Sequence, residues 1–437
     1  MKVLGLYDGM SCGMITFTEL GLADHIERYV AYEYDVKSIG KKGAGEFGFP
    51  ALVASHNFPN IEQRGDIFKA DFTEFIGFDY ILAGFPCTKF SIAQKKDRET
   101  KPYCGIGWDM FEKAWEAVQV AQPKFFLFEN NKSMAQAVQE EISKIIGFKP
   151  IVFNSSLLSA QQRQRIYWLG KRNPDGTYSQ VHVELPEDKG IILQDILEDG
   201  IADRDKSYCL KHQAGNARDY LKKHHTQVKF EPVAKRVPDY GVPDKARPLG
   251  ASYAYKGDGE GSLVSEAFPD NPNKQVRDYV AETVRVGALP RPNGELSTSQ
   301  AFRIYSTEGK SVNINSGGGG AGGKTGLYAI PVPEFAEPVE WDEDGKPTMA
   351  VSSADGKKHK VYEVKRGFIT FKGKEYKISL ADGFYIIRKL TVLECMRLQT
   401  VPEWYDFSIT AETHAYEMLG NGWTVEVIKY LISHTLE

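Results

Sequence analysis

Tyr80-Ile81-Leu82-Ala83-Gly84-Phe85-Pro86-Cys87 is a short apolar run that ends in a glycine and a proline. Its first four residues are typical of a buried strand, and Gly84 and Pro86 then interrupt the strand's hydrogen bonding. Cys87 is therefore predicted at the carboxyl end of a strand, where ligands and catalytic groups collect in open α/β sheets. A thiol there is a candidate nucleophile. The alternative is an inert buried thiol, the commoner role of a single cysteine.

The first 170 residues alternate strand-like and helix-like segments. Apolar runs predict strands at Lys2–Tyr7, Tyr29–Tyr34, Asp79–Ala83, Phe125–Phe128 and Ile166–Leu169. Helical spacing of apolar residues predicts helices at Met14–Leu22, Met110–Ala121 and Met134–Ile146. Such alternation indicates a parallel, doubly wound α/β sheet of the Rossmann-like type.

The composition changes after about residue 171. Residues 203–247 are rich in Lys, Arg and His, and residues 335–385 look β-rich, with a hairpin signal at Lys372-Gly373-Lys374. The tail looks like two helices around Gly420-Asn421-Gly422. We therefore predict an α/β domain, an inserted β-rich domain and C-terminal helices that complete the first domain, with limits at 1–200, 201–403 and 404–437.

Composition limits the class of protein. The 437 residues, 42% hydrophobic and 26% charged, fit a soluble protein of two or three domains without a membrane-spanning stretch. Five scattered cysteines without CxxC spacing predict reduced thiols in a cytoplasmic setting and no metal site. The net charge of −4 excludes a polycation but leaves room for a basic cleft. The amino terminus reads as a strand rather than a signal peptide.

Three features near the amino terminus point to an adenosine-bearing cofactor. The run Val3 to Gly13 is a strand followed by a glycine-containing turn and a helix, which brings backbone N–H groups close to a ligand. Glu33 follows the next strand, where an acidic residue typically binds ribose hydroxyls, and Asp66 follows in Gly65-Asp66-Ile67. Each feature alone is equally consistent with a tight turn or a solvated carboxylate.

Polar residues also follow a second apolar run. Phe125–Phe128 leads into Glu129-Asn130-Asn131, where a plain surface acid is the alternative to a catalytic one. Gln161, Arg163 and Arg165 share one face if this segment is a strand, because side chains alternate. Two arginines and a glutamine suit an anion or a flipped base. A solvated charged edge is the alternative.

Together these segments resemble the DNA cytosine-5 methyltransferase family, and phage and prophage members in particular. The resemblance covers residues 1–170 and 385–437 and weakens between them. The motifs, in the family's order, are Leu6-Tyr7-Asp8-Gly9, Gly84-Phe85-Pro86-Cys87, Glu129-Asn130, Gln161-x-Arg163-x-Arg165, Arg388-x-Leu390-Thr391-x-x-Glu394-x-x-Arg397-Leu398-Gln399 and Gly420-Asn421.

The chain departs from the family pattern at several positions. Tyr7 replaces the common Phe, Thr88 the usual Gln and Asn131 the usual Val, changes that leave the chemistry intact. The stretch from Arg303-Ile304-Tyr305-Ser306 to Lys324-Thr325-Gly326-x-Tyr328 resembles the family's base-recognition loop. In it, Val312-Asn313-Ile314 replaces the usual Thr-Leu pair, which puts the target sequence in doubt. Residues 329–384 form an insertion relative to small members.

The resemblance implies a role for each matching residue. The catalytic residues would be Cys87, Glu129, Arg163 and Arg165. S-adenosylmethionine would be bound by Tyr7, Asp8, Gly9, Met10, Glu33, Asp66, Ile67 and Asn421. The substrate would be bound by Phe85, Pro86, Ser91, Asn130, Gln161 and Arg303.

The implied activity is methylation of carbon 5 of a cytosine flipped out of double-stranded DNA, through a covalent Cys87 adduct. The 201–403 domain would recognise the target. The expected protein is a cytoplasmic monomer without a metal, and a cognate restriction endonuclease is an expected partner. Two alternatives stay open: a methyltransferase for tRNA cytosine, and a catalytically silent DNA-binding homologue.

Overall fold

The computed structural model describes residues 1–86, 99–198, 207–208, 228–232, 285–288, 303–305, 336–352, 356–371, 374–377 and 382–436. Three predictions lie outside these residues: the nucleophile Cys87, the substrate residue Ser91 and the recognition-loop segment 312–314. Within the described part of the chain, no helix is long and apolar enough to cross a bilayer.

The amino-terminal half is built of alternating strands and helices. In chain order these are β1 (Lys2–Leu6), α1 (Cys12–Glu19), β2 (Arg28–Tyr32), α2 (Phe49–Asn57), β3 (Ile61–Gln63), β4 (Tyr80–Ala83), α3 (Ile106–Ala121), β5 (Phe125–Asn131), α4 (Gln136–Ile146), β6 (Ile151–Asn154), β7 (Gln161–Gln162), β8 (Gln164–Arg172), β9 (Tyr178–Gln180) and α5 (Leu193–Ile196). Short 3₁₀ turns lie at Ala23–His25, Ile67–Lys69, Phe72–Phe75 and Ser155–Leu157.

The main sheet has the strand order β3-β2-β1-β4-β5-β8-β6, with β9 beside β8. The first five strands are parallel, which confirms the doubly wound α/β class. In contrast to the all-parallel expectation, β8 runs antiparallel to both β5 and β6. The reason is the connection 155–163, which is shorter than the roughly dozen residues that a parallel crossover requires.

Both faces of the sheet are buried, which explains why its strands read as continuous apolar runs. Val3 and Leu82 point into a core shared with α1 and the C-terminal helices, whereas Leu4 and Ile81 point into a second core under α3 and α4. Burying a side chain of this size stabilises the fold by roughly 1.5–3 kcal/mol relative to exposing it. The carboxyl ends of β1, β2, β4 and β5 therefore lie along one rigid edge.

Among the residues that the structure describes, the second half contains short strands and three helices. The strands are β10 (Ser207–Tyr208), β11 (Val228–Pro232), β12 (Arg285–Ala288), β13 (Arg303–Tyr305), β14 (Ala336–Trp341), β15 (Pro347–Ser352), β16 (Lys358–Lys365), β17 (Phe368–Phe371), β18 (Lys374–Lys377) and β19 (Gly383–Lys389). The helices are α6 (Val392–Leu398), α7 (Glu412–Asn421) and α8 (Val425–Ser433). The predicted hairpin, now β17 paired with β18, is confirmed, and so are the two helices near the carboxyl terminus.

An antiparallel sheet is formed by the strands β11, β19, β16, β15 and β14. The prediction that residues 335–385 are rich in β-strands is therefore confirmed for the described residues. Helix α6 follows this sheet and begins with a capping box, because Thr391 and Glu394 bond each other's backbone N–H. Leu398 and Leu431 share one core with Val3. The chain thus returns to the α/β core at α6, while the exact domain limits stay a prediction.

Candidate active site

The turn after β1 faces the end of β2. Gly9 has φ +56°, a left-handed conformation that favours glycine, and a Cβ there would meet no atom within 4 Å. Its N–H donates to Glu33 Oε2 at 2.8 Å. Asp8 N donates to the carbonyl oxygen of Tyr32 at 3.2 Å. The predicted cofactor residues Asp8, Gly9 and Glu33 therefore lie together, with open space above Gly9.

Asp8 points back into the protein. Its carboxylate accepts hydrogen bonds from Ser11 Oγ and, at 2.8 Å, from the hydroxyl of Tyr29. A Cβ at Gly5 would stand 2.2 Å from Asp8 Oδ1, so β1 needs a glycine at this position. Burial raises the pKa of Asp8 to about 6, although both hydrogen bonds act in the opposite direction. The contacts of Asp8 hold the shape of the turn.

Glu33 is better placed to meet a ligand. One oxygen accepts from Gly9, and the other, Oε1, has no hydrogen-bond partner among the described residues. Burial raises the pKa of Glu33 to about 7, and the nearby Asp8 and Asp35 add to the rise. A half-buried carboxylate with one unused oxygen is well suited to accept from ligand hydroxyl groups.

The remaining predicted cofactor residues line the same end of the sheet. Tyr7 has φ +55° and donates its hydroxyl to the carbonyl oxygen of Met110 at 2.8 Å. Asp66 Oδ1 accepts from Phe68 N at 3.0 Å and so caps the turn that begins at Ile67. Met10 is buried, and its carbonyl oxygen accepts from the hydroxyl of Tyr405 at 2.7 Å.

The segment that leads to Cys87 is anchored from the neighbouring strand. Strand β4 ends at Ala83, and Phe85 is almost completely buried. Asn130 Nδ2, also buried, donates to the carbonyl oxygen of Phe85 at 3.0 Å. The predicted substrate residues Phe85, Pro86 and Asn130 are thus brought together directly before Cys87.

Glu129 occupies the carboxyl end of β5 and is only 9% exposed. Its Oε1 lies 3.0 Å from Arg165 Nε, and its Oε2 accepts from Trp423 Nε1 at 3.2 Å. Arg165 faces Asn131 across the β5–β8 pair, which places its side chain diagonally opposite Glu129 on the same face. The alternative of a surface acid is wrong, because Glu129 is a buried, paired carboxylate.

Gln161, Arg163 and Arg165 are all buried while their neighbour Gln164 is exposed, as strand alternation predicts. The alternative of a solvated charged edge is wrong. Gln161 Nε2 donates to the carbonyl oxygen of Leu398 at 3.0 Å. Arg163 donates to the carbonyl oxygens of Gly420 at 3.2 Å and Gly422 at 2.8 Å. Gln161 and Arg163 therefore tie the C-terminal segment to the sheet, and any contact they make with substrate stays a prediction.

The C-terminal segment brings in a residue that the sequence analysis did not select, Trp423. It is followed by Thr424, which donates to Gln399 Oε1 at 2.9 Å. A Cβ at Gly422 would approach Cys12 Sγ to 3.3 Å, so this segment packs closely on the first helix. The predicted cofactor residue Asn421 is the last residue of α7 and is exposed beside this contact.

Among the residues that the structure describes, no cluster of three or more His, Cys, Asp or Glu side chains is arranged to hold a metal ion. Arg303 lies in β13, which pairs with β12, and its side chain is outside the described set.

The sequence matches a family model described as C-5 cytosine-specific DNA methylase over residues 51–437. It is 23% identical to the orphan methyltransferase M.SPBetaI of Bacillus phage SPbeta, with 97% of each chain covered. It is 26% identical over 169 residues to the orphan methyltransferase M.SPRI of Bacillus phage SPR, a match that spans 36% of this chain and 37% of that protein.

Two solved structures are similar in outline. One is the Dnmt2 methyltransferase of S. pombe, with a TM-score of 0.43 and 12% identity over 99% of this chain and 97% of that chain. The other is a putative DNA modification methyltransferase encoded within an E. coli prophage, with a TM-score of 0.46 and 13% identity over 100% of this chain and 98% of that chain.

Proposed function

Because the chain belongs to the C-5 cytosine-specific DNA methylase family, we propose that it methylates carbon 5 of a cytosine flipped out of duplex DNA through a covalent adduct with Cys87. That it is a DNA cytosine methyltransferase follows from the family itself. Beyond this activity, we propose the covalent adduct, the flipped base and the use of S-adenosylmethionine as methyl donor.

The observation that carries the proposal is the buried pair of Glu129 and Arg165 beside the segment that leads to Cys87. The Asn130 side chain joins the end of β5 to the backbone at Phe85, so the acid and the nucleophile's segment are connected by one hydrogen bond. A buried ion pair costs desolvation that its attraction does not always repay. A charged pair at the carboxyl edge of a sheet is therefore better explained by chemistry than by stability.

The residues at the β1 and β2 ends fit S-adenosylmethionine. The unused Oε1 of Glu33 suits the ribose hydroxyls, and the open space above Gly9 leaves room for a ligand against the backbone. Asp66 and Ile67 follow β3, the strand beside β2, and are proposed to contact the same ligand. When bound, S-adenosylmethionine supplies an electrophilic methyl group.

Covalent catalysis explains the residue types. The Cys87 thiolate attacks carbon 6 of the cytosine, and a new S–C bond forms. Glu129 supplies a proton to ring N3 and accepts from the exocyclic amine, so that electron density reaches carbon 5. Arg165, held beside Glu129, polarises the base carbonyl.

The electron pair at carbon 5 would form the new bond to the methyl group, while the methyl–sulfur bond of S-adenosylmethionine would break and leave S-adenosylhomocysteine. A base then removes the carbon 5 proton, the S–C6 bond breaks, and the thiolate is restored. Ring N3 returns its proton to Glu129, so both the base and the enzyme regain their starting protonation. Moving the target base out of the duplex costs roughly a few kcal/mol, which contacts in the site must offset.

Bisulfite sequencing of DNA from bacteria that express the protein tests this function. We expect protected cytosines in one sequence context, and none with an empty vector. Methyl transfer into tRNA and not into DNA would support the tRNA alternative instead. A monomeric state, a cytoplasmic location and a cognate restriction endonuclease stay predictions.

Replacing Glu33 by alanine is expected to weaken S-adenosylmethionine binding roughly 10- to 100-fold, since hydrogen bonds to a charged acceptor contribute about 1.5–3 kcal/mol. Titration calorimetry at pH 8 measures this loss. Affinity for DNA should stay within twofold of that of the parent protein.

The raised pKa of Glu33, about 7, predicts a pH dependence. The ionised form is the better acceptor, and it is lost as the pH falls through about 7. Cofactor affinity of the parent protein should therefore fall roughly tenfold between pH 8 and pH 6, whereas Glu33→Ala should show a much shallower dependence. A flat profile in the parent protein would refute the ribose role.

Replacing Arg303 by alanine distinguishes a base contact from a phosphate contact. The Arg303-Ile304-Tyr305-Ser306 segment resembles the family's recognition loop, and an arginine fork fits guanine O6 and N7. We expect a loss of about 1–3 kcal/mol and relaxed discrimination at one position. Methylation profiling of a randomised-site library measures both. An unchanged sequence preference, with weaker binding to all DNA and a shallower salt dependence, would indicate a phosphate contact instead.

A further inference from the structure

We propose that Trp423 is a positioning residue for Glu129, whose carboxylate it orients through the indole N–H. This inference rests on the proposed acid role of Glu129. Trp423 belongs to none of the motifs that carry the resemblance, and the mechanism above does not use it.

The contact is short and shielded from water. Trp423 Nε1 lies 3.2 Å from Glu129 Oε2, and both residues are 9% exposed. An indole N–H only donates, so its direction defines where that oxygen must lie. Arg165 Nε approaches the other oxygen at 3.0 Å. With one donor at each oxygen, the plane of the carboxylate is held, and each oxygen keeps a further lone pair.

The segment that carries Cys87 is shaped around the same indole. A Cβ at Gly84 would stand 2.8 Å from Trp423 Nε1 and 3.1 Å from both Cε2 and Cζ2 of the ring. Only a glycine lets the chain pass at this distance. The end of β4, the end of β5 and the C-terminal segment therefore meet at one ring.

Hydrogen bonds hold the residues on both sides of Trp423. Arg163 donates to the carbonyl oxygen of Gly422, the residue directly before Trp423, at 2.8 Å. Thr424, the residue after it, bonds Gln399 Oε1 at 2.9 Å and Ser155 Oγ at 2.8 Å. Hydrogen bonds to the residues before and after Trp423 restrict the movement of its indole. A side chain that orients another must itself be held in place.

Trp423→Phe keeps an aromatic ring and removes only the N–H donor. We expect the single-turnover rate of methyl transfer to fall about tenfold or more, because hydrogen bonds to charged groups are among the stronger ones. The dissociation constant for S-adenosylmethionine, measured by calorimetry, should stay within twofold of the parent value, and the melting temperature should change little.

Trp404→Phe is the matched control. Trp404 Nε1 also donates to a carboxylate, Glu19 Oε1, at 3.0 Å, but it is 47% exposed and its partner is the last residue of α1 rather than a residue of β5. The single-turnover rate of Trp404→Phe should equal that of the parent protein. A parent-like rate for Trp423→Phe, or a loss explained entirely by weaker cofactor binding, would overturn the proposal.

A double-mutant cycle separates positioning from a general structural role. In a Glu129→Gln background the side chain at 129 no longer carries the proton, so Trp423→Phe should cost less than twofold further. If Trp423→Phe lowered the single-turnover rate by the same factor with Glu129 and with Gln at position 129, Trp423 would act independently of Glu129. If Glu129→Gln alone keeps the parent rate, the proposed acid role fails, which is a different result from the failure of the Trp423 inference.

Discussion

Replacing Cys87 by serine is expected to abolish methyl transfer while the fold and cofactor binding are retained. The expectation follows from the sequence position of the residue: it comes directly after Phe85 and Pro86, and Phe85 follows β4 and is hydrogen-bonded to Asn130 of β5. A serine hydroxyl is far harder to ionise near neutral pH than a thiol, and the thiolate is the nucleophile. Transfer of a labelled methyl group to duplex DNA measures the loss.

Cys104→Ser is the control for this substitution, because Cys104 is an exposed thiol in the segment that leads into α3. It should keep the parent rate. A duplex that contains 5-fluorocytosine should trap the parent and Cys104→Ser as covalent adducts that survive denaturing electrophoresis, and should not trap Cys87→Ser. Methyl transfer by Cys87→Ser at more than a few per cent of the parent rate would show that Cys87 is not the nucleophile.

Replacing Glu129 by glutamine is expected to slow the single-turnover reaction by ~10²–10⁴, the usual contribution of a positioned acid or base. Glutamine fills nearly the same space and still accepts a hydrogen bond, but it carries no exchangeable acid proton and no charge to balance Arg165. DNA and cofactor binding should therefore change much less than the rate. Rapid-quench kinetics with saturating DNA and cofactor measure the chemical step alone.

Glu112→Gln provides a matched control on α3. Glu112 Oε1 accepts from Trp108 Nε1 at 2.6 Å, so it has the same kind of tryptophan contact as Glu129 without the same place in the sheet. Its rate should stay within twofold of the parent rate. If Glu129→Gln also reacted at the parent rate, Glu129 would be a structural carboxylate only.

The strand ends of the active site were predictable from local sequence. The runs Tyr80–Ala83 and Phe125–Phe128 are apolar because both faces of the sheet are covered, and each turns polar where the strand leaves the core. β5 continues through Asn131, so Glu129 and Asn130 lie within the strand rather than after it.

Elements with weaker local signals were missed. β3 is three residues long and two of them are polar, Glu62 and Gln63. Helix α2 begins at Phe49-Pro50 and includes His56 and Asn57, so its apolar spacing is short and irregular. The direction of β8 also escaped prediction, because orientation depends on connection length and not on apolar pattern.

The contacts that complete the site are long-range and have no local signature. Trp423 reaches Glu129 across 294 positions of the chain, and Arg163 reaches Gly422 across 259. Gln161, Arg163 and Arg165 are all buried, as alternation predicts, although Arg163 lies between β7 and β8 rather than in a strand. What these side chains contact depends on how the C-terminal segment returns. No spacing rule connects residues so far apart.

The most direct test of the account is the identity of the methylated product. Purified protein is incubated with labelled S-adenosylmethionine and genomic DNA from a strain without cytosine methylation, and the DNA is digested to nucleosides for mass spectrometry. We expect labelled 5-methyl-2′-deoxycytidine with the parent protein and no labelled nucleoside with Cys87→Ser. Label on the exocyclic nitrogen of cytosine or on adenine, or no label in the DNA, would contradict the proposed function.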